Sequence, residues 1–209
     1  MKEKIGYHSV SAIILAAGMS TRMGQLKQLL LLNRRPLLIH VIEAAASVDF
    51  FEIITVIGCQ ASKIQKEILI DDRRFCWAIN EKYEAGQSSS LKTGILNVGE
   101  KSAGVMVFLG DLPFILHETI LKIYRAGVKM MQETTESFII QPEYEGKPGH
   151  PVFIGNFNRE IMMQLHGDTG AKVIMDKFSI RKRMAVNDIG ILFDVDTPET
   201  YLKAKSFNK

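Results

Sequence analysis

Ile13-Ile14-Leu15-Ala16-Ala17-Gly18-Met19-Ser20-Thr21-Arg22-Met23-Gly24-Gln25-Leu26-Lys27 is the stretch that decides the fold. It continues an apolar run, Val10 to Leu15, whose single polar member is Ser11, and such a run reads as a buried strand. The strand stops in the small residues Ala16, Ala17 and Gly18, and a loop follows that carries Ser20, Thr21, Arg22, Gly24 and Lys27. Small residues let backbone N–H groups come close to a ligand, and a loop of such donors makes a nest for phosphate oxygens. Arg22 and Lys27 add two cations, one forked and one a point charge. A plain glycine turn with two solvated basic residues would look the same in isolation, so the rest of the chain must decide.

Two familiar phosphate loops do not fit. A Walker A loop needs four residues between its glycines and then Lys-Ser/Thr, whereas Gly18 and Gly24 have five residues between them and Gln25 follows. The dinucleotide fingerprint G-x-G-x-x-G fails as well, because Ser20 stands two places after Gly18. The stretch resembles instead the nucleotidyltransferase signature L-A-A-G-x-S-x-R-M-G-x-x-K. Leu15, Ala16, Ala17, Gly18, Ser20, Arg22, Met23, Gly24 and Lys27 fill nine fixed positions within thirteen residues, which makes the signal specific.

Outward from the loop, the chain alternates. Pro36 opens a helix with Leu37, Leu38, Val41, Ile42 and Ala45 on one face. Ile53 to Ile57 reads as a strand, Gln60 to Ile70 as a helix, Phe75 to Ile79 as a strand and Gly86 to Val98 as a helix. Gly104 to Leu109 is the most apolar strand and runs straight into Gly110-Asp111-Leu112-Pro113. This alternation predicts right-handed crossovers in a mostly parallel sheet, with ligands beyond the carboxyl ends of the strands. The Gly18 and Asp111 loops should therefore share one rim. The second half is less regular: Phe138 to Pro142, Val152 to Ile154 and Met184 to Val186 read as strands. Phe157 to Leu165, Thr169 to Phe178 and Pro198 to Phe207 read as helices. No linker separates the halves, so residues 1–209 are read as one domain. Its nucleotide side spans roughly 10–115 and its acceptor side roughly 137–200.

Composition narrows the function classes. Twenty-six basic residues against 23 acidic ones leave +3, too little to predict binding to nucleic acid or a membrane surface. Arg34-Arg35, Arg73-Arg74 and Arg181-Lys182-Arg183 read as solvated turns. Cys59 and Cys76 cannot build a disulfide framework and read as packing residues. The first residues lack a signal-peptide pattern and no apolar run approaches 18 residues, so a cytoplasmic location is expected.

Asp111, directly after an apolar strand, is awkward for packing and well placed for a hard cation such as Mg²⁺. The competing role is an N-cap for a helix after Pro113. Asp194 and Asp196 form a second acidic pair whose carboxylates share a side if the segment is extended. Asp194 is expected at the metal and Asp196 in a partly structural role, with Asp196 or Thr197 capping the helix at Pro198. His8, His40, His117 and His166 lack metal-ligand spacing.

Six motifs then point to one family. These are the Leu15–Lys27 loop, Gly86-Gln87-Ser88-Ser89-Ser90-Leu91, Gly110-Asp111-Leu112-Pro113, Gly149-His150-Pro151-Val152-Phe153, Gly167-Asp168-Thr169-Gly170-Ala171-Lys172, and Asp194-Val195-Asp196-Thr197-Pro198-Glu199. In this order they resemble the molybdenum cofactor cytidylyltransferases and their close relatives, which include accessory proteins for xanthine dehydrogenase in purine catabolism. The resemblance implies a Rossmann-like, three-layer α/β nucleotidyltransferase fold. It implies transfer of CMP from CTP to molybdopterin, with Mg²⁺ and release of pyrophosphate, and a molybdoenzyme such as xanthine dehydrogenase as a partner.

It also implies site roles. Leu15, Ala16, Ala17, Gly18, Ser20 and Gly24 would cradle phosphates, with Arg22 and Lys27 stabilising charge on the leaving group. Ser88, Ser89, Ser90 and Leu91 would meet base and ribose. Asp111, Asp194 and Asp196 would supply metal ligands. Gly149, His150, Pro151, Asp168, Thr169, Gly170 and Lys172 would form the acceptor side, although His150 also suits packing under its turn and Thr169 a helix cap. The guanylyl relatives carry L-A-G-G and an Asp-Lys at the loop's end, so Ala17 and Leu26 favour cytidine. A sugar- or alditol-phosphate acceptor uses the same chemistry. A non-catalytic molybdopterin carrier is the third reading, and intact Lys27 and Asp111 argue against it.

Overall fold

Apolar residues of the strand Ser9–Leu15 (β1) alternate between two sides, and this sorts the molecule into layers. Val10, Ala12 and Ile14 pack on one face, Ile13 on the other. The computed structural model describes residues 9–163 and 178–207. Its main sheet contains β1, Glu52–Ile57 (β4), Phe75–Ile79 (β5), Ser102–Leu109 (β6), Phe138–Tyr144 (β7), Val152–Gly155 (β9) and Ile180–Ala185 (β10). Their order is β10-β7-β9-β6-β1-β4-β5. Lys147–Pro148 (β8) pairs with β7, and Leu31–Leu32 (β2) and Arg35–Pro36 (β3) form a separate hairpin.

The pairs β1–β4, β1–β6, β4–β5 and β7–β10 are parallel, while β9 runs antiparallel to β6 and β7. Leu37–Ala46 (α1), Ala61–Glu67 (α2) and His117–Glu133 (α4) cover one face, where Leu38, Ile42, Ile64, Ile120 and Ile123 join the core. Gln87–Asn97 (α3) covers the other, with Leu91 and Ile95 packed on Ile13, Ile54 and Val56. Arg159–Met163 (α5) contributes Met162 to that same face. The result is the expected three-layer α/β fold with a mostly parallel sheet. Among the described residues no helix is long and apolar enough to cross a membrane.

Chain order explains where a ligand can bind. From β1 the chain steps outward to β4 and β5, then returns to place β6 on the opposite side of β1. The reversal opens a crevice beyond the carboxyl ends of β1 and β6. Three backbone bonds fasten that rim: Ala16 N–H donates to Val56 O (2.8 Å), Gly110 N–H to Leu15 O (2.9 Å), and Val195 N–H to Asp111 O (2.9 Å).

Several local expectations need correction. The helix after Pro113, named only as something for Asp111 to cap, is the 17-residue α4; it starts at His117 and carries Ile120, Ile123, Gly127 and Met131 at helical spacing on its buried face. The α2 helix ends at Glu67, leaving Leu69 84% exposed. β10 begins at Ile180 and holds the Arg181–Arg183 cluster, which is therefore strand, not turn. Cys76 is exposed on the edge strand β5 and is no packing residue.

Candidate active site

The loop after β1 owes its shape to left-handed backbone positions and to one buried side chain. Ser20 (φ 56°) and Gly24 (φ 67°) turn the chain around a short 3₁₀ turn, Thr21–Met23. Gln28, only 2% exposed, donates from Nε2 to Ala16 O (2.7 Å) and Gly18 O (3.1 Å). Ser20 Oγ accepts from Lys27 N–H (3.1 Å) and donates to Gln28 Oε1 (3.4 Å). Gly110 lets β6 approach this loop: an added Cβ would stand 2.8 Å from Ala16 Cβ and 3.1 Å from Leu15 O.

Lys27 joins two carboxylates that are distant in sequence. Its Nζ lies 2.6 Å from Asp111 Oδ2 and 2.6 Å from Asp196 Oδ1, and Arg22 pairs with the other oxygen of Asp196. Burial acts to lower the Lys27 pKa, but attraction to Asp111 and hydrogen bonds to Asp111 and Asp196 outweigh it, so the ammonium is held above its ordinary value. Asp111 Oδ1 is buried and has no hydrogen-bond partner among the described residues. Asp194 is exposed on the same segment; partial desolvation and then repulsion from Asp111 raise its carboxyl pKa. Among the described residues no three His, Cys, Asp or Glu side chains cluster as a metal site.

The helix-cap alternatives are decided by α6, Pro198–Ser206. Thr197 is its N-cap, in a reciprocal box with Thr200, and Asp196 only donates its backbone N–H to Thr200 Oγ1 (3.0 Å). Asp111 caps nothing, because α4 starts at His117 and the Leu116 N–H is met by Asp188 (2.9 Å).

A cleft of about 300 Å³ opens at this rim. Leu15, Ala16, Ala17, Gly18, Lys27, Gly110 and Asp111 line one side, and Tyr83, Glu84, Gly86, Gln87 and Ser90 the other. Of the serine run, Ser90 reaches the cleft, Ser88 and Leu91 are buried in the helix, and Ser89 Oγ donates to Gly86 O and Lys82 O. Asn80 Nδ2 ties Ser89 and Ser90 together (2.8 and 3.1 Å). His150 lies beyond β6 with Nδ1 3.3 Å from Val107 O, and Asp111 is near enough to act on it. Burial dominates there and pushes the imidazole pKa down. Gly149 is buried with its Cα against Ile191 O, 2.5 Å from an added Cβ, and its carbonyl accepts from Gln141 Nε2 (3.1 Å). Pro151 is buried beside them. Asp168, Thr169, Gly170 and Lys172 lie outside the described residues.

Gln28, Tyr83, Glu84 and Gln87 were missed as site residues. A polar Gln28 at the head of the short apolar piece Gln28–Leu32 was the one available signal.

Residues 12–183 match the MobA-like NTP transferase domain. The chain belongs to this family of nucleotidyltransferases. Within it, the chain is 25% identical over 200 residues to the molybdenum cofactor cytidylyltransferase of Escherichia coli (strain K12), covering 94% of this chain and 96% of that one. It is 27% identical over 130 residues to the bifunctional protein GlmU of Psychrobacter sp. (strain PRwf-1), covering 61% of this chain. The chain spans only 28% of that GlmU. Among solved structures, Rv0371c from Mycobacterium tuberculosis H37Rv superposes with a TM-score of 0.81 at 23% identity, over 95% of this chain and 98% of that one. A complex of Rv0371c with manganese gives 0.76 at 22% identity, over 95% and 98%.

Proposed function

We propose that this chain transfers CMP from CTP to the molybdopterin-bound molybdenum cofactor and releases pyrophosphate, supplying an enzyme of the xanthine dehydrogenase type. The single observation that carries the chemistry is Asp111: a carboxylate at the switch-point crevice, beside a small-residue loop, with one oxygen tied to Lys27 and the other buried without a partner among the described residues. Similarity to the Escherichia coli cytidylyltransferase along nearly the full length supports the acceptor.

The donor set fits a divalent ion. Asp111 Oδ1 is an unmet hard acceptor, and Asp196 already shares a cation with Asp111. Two carboxylates completed by substrate phosphates are the usual protein contribution to Mg²⁺. Asp111 and Asp196 would hold it and exposed Asp194 stands in reserve, which reverses the roles expected for the acidic pair. Rv0371c, which shares the fold, is known in a complex with manganese, a divalent ion of the same kind. When bound, the ion supplies charge neutralisation on the transferring phosphoryl group.

In the proposed reaction a terminal phosphate oxygen of the pterin bonds to the α-phosphorus of CTP, the α–β bridging bond breaks, and pyrophosphate departs with the electron pair. The protein positions and neutralises more than it moves protons. Backbone donors from Ala16 to Gly24 hold the β- and γ-phosphates, and Arg22 and Lys27 meet the growing charge on them. Gln87 and Ser90 offer polar contacts to base and ribose across the cleft. His150, kept neutral by burial, has one nitrogen near Val107 O and the other for the pterin.

The test is pyrophosphate release with each nucleoside triphosphate in turn and three acceptors: molybdenum-loaded molybdopterin, a sugar 1-phosphate and an alditol phosphate. CTP with molybdopterin should react fastest, and mass spectrometry should find the dinucleotide product. Release with a sugar or alditol phosphate and none with molybdopterin would overturn the acceptor. A clear GTP preference would overturn the reading of Ala17 and Leu26.

A further inference from the structure

We infer that Lys27 is an exchangeable counter-ion for the metal: in the nucleotide-free protein its ammonium occupies the position between Asp111 and Asp196 that the divalent ion takes during turnover. The inference rests on the Mg²⁺ assignment above. It goes beyond that assignment by making one side chain serve two places and by fixing the order in which ligands load.

Geometry motivates it. The ammonium is equidistant from Asp111 Oδ2 and Asp196 Oδ1, at 2.6 Å from each. Oxygens bind Mg²⁺ at about 2.1 Å, so each must draw in by only about 0.5 Å to close on an ion at that point. Lys27 is mostly buried, with 14% of its side chain exposed, so both cations cannot sit there together. Charge points the same way. The ammonium carries one charge against the two of Asp111 and Asp196. Arg22 offsets part of this from the exposed side, 70% open to solvent. A divalent ion would balance Asp111 and Asp196 outright.

Lys27 also has somewhere to go. It lines the cleft together with Ala16, Ala17 and Gly18, the backbone assigned to the triphosphate. A triphosphate arriving there competes with the carboxylates for the ammonium. Drawing Lys27 across frees both carboxylates at the moment when phosphate oxygens become available to complete the ion's shell. Nucleotide and metal therefore reinforce each other through one side chain, and by linkage the reinforcement is mutual. Without nucleotide, Lys27 keeps the carboxylates from holding a metal tightly.

The test is Mn²⁺ binding to nucleotide-free protein, read from the free-ion electron paramagnetic resonance signal. Wild type, Lys27→Met, Lys27→Gln and the double variant Lys27→Met/Asp111→Asn are compared, each checked for fold by circular dichroism. The lysine variants should bind Mn²⁺ at least about tenfold tighter than wild type, and the double variant should lose that gain. Equal, tight binding by wild type and lysine variants would overturn the exchange while leaving the metal assignment intact. Weak binding by all four proteins would remove both. Wild type alone gives an independent reading should the variants fold poorly. With lysine labelled by ¹³C at Cε, saturating Mg²⁺ should shift and sharpen the Lys27 signal as the side chain is released. An unchanged Lys27 signal would overturn the proposal.

Discussion

Gln28→Met isolates the support beneath the loop after β1, the proposed phosphate cradle. The substitution keeps the length and most of the volume of the side chain but removes both amide donations, to Ala16 O at 2.7 Å and to Gly18 O at 3.1 Å. It also removes the acceptor for Ser20 Oγ. A buried hydrogen bond contributes about 1 kcal/mol net, and a buried carbonyl left without its donor costs about 1–3 kcal/mol. Gln28 is essentially inaccessible, so water cannot replace it, and the loss should total about 2–4 kcal/mol. Part of this falls on the loop itself, because Gln28 is the side chain that joins its start, at Ala16, to its Ser20 turn. A shift of about 1 Å in a positioning group can cost about 100-fold in rate, so kcat/KM for the nucleotide should fall by about that factor. Urea unfolding followed by circular dichroism measures the first number, and pyrophosphate release at varied nucleotide the second. A Gln28→Met protein with wild-type stability and wild-type kcat/KM would refute the reasoning. A stability loss with unchanged kcat/KM would show that the loop is shaped by something else.

Asp111→Asn should cut pyrophosphate release at least about 100-fold, the scale of a lost electrostatic stabiliser, while leaving the fold intact; Lys129→Ala, on the exposed side of α4, should leave turnover unchanged. Turnover of Asp111→Asn close to wild type would remove Asp111 from the mechanism. His150→Ala should raise the apparent KM for molybdopterin or lower turnover while CTP affinity stays within about twofold, and loss of CTP affinity instead would place His150 on the nucleotide side. Asp72 is held at about 2 by hydrogen bonds from Arg74, whose guanidinium also donates to Val48 O and Ala46 O at the end of α1. A carboxylate with a depressed folded pKa stabilises above its ordinary value and loses that contribution as pH falls toward 2, so Asp72→Asn should flatten the acid limb of stability between about pH 4 and pH 2. An unchanged limb in urea titrations would show that the pair does not couple to folding.

The first half of the chain was legible because its signals are local. An apolar run ending in Ala16-Ala17-Gly18, and another ending in Gly110-Asp111, each state a strand and the loop after it within a few residues. The parallel sheet then follows from alternation, and the shared rim from the direction of parallel strands. What stayed hidden depends on contacts made after folding. α4 carries its apolar residues on one face among Glu118, Lys122, Arg125 and Lys129, so it offers no continuous apolar run to mark its extent. Cys76 lies between Phe75 and Trp77 and looks like core, yet β5 is an edge strand, which only the strand order reveals. Gln28 heads a short apolar piece, and nothing local says that its amide turns back to the loop before it.

The acidic pair shows most clearly why spacing alone could not assign the roles. Extended geometry puts Asp194 and Asp196 on one side, but it does not say which one faces Asp111. Two contacts decide it. Val195 N–H donates to Asp111 O, so the segment is pinned at the residue between the two acids. Thr200 Oγ1 accepts from both Asp196 N–H and Thr197 N–H, at 3.0 Å each, so the start of α6 fixes the backbone just beyond the pin. Held at both points, Asp196 turns inward to Lys27 across 169 positions of sequence, and Asp194 is left at the surface. Thr197 was legible as one of two candidate caps for the helix at Pro198, and its box with Thr200 appears only in the structure. Their second effect, aiming a carboxylate at a lysine from the first loop of the chain, exists only once β6 and α6 have met.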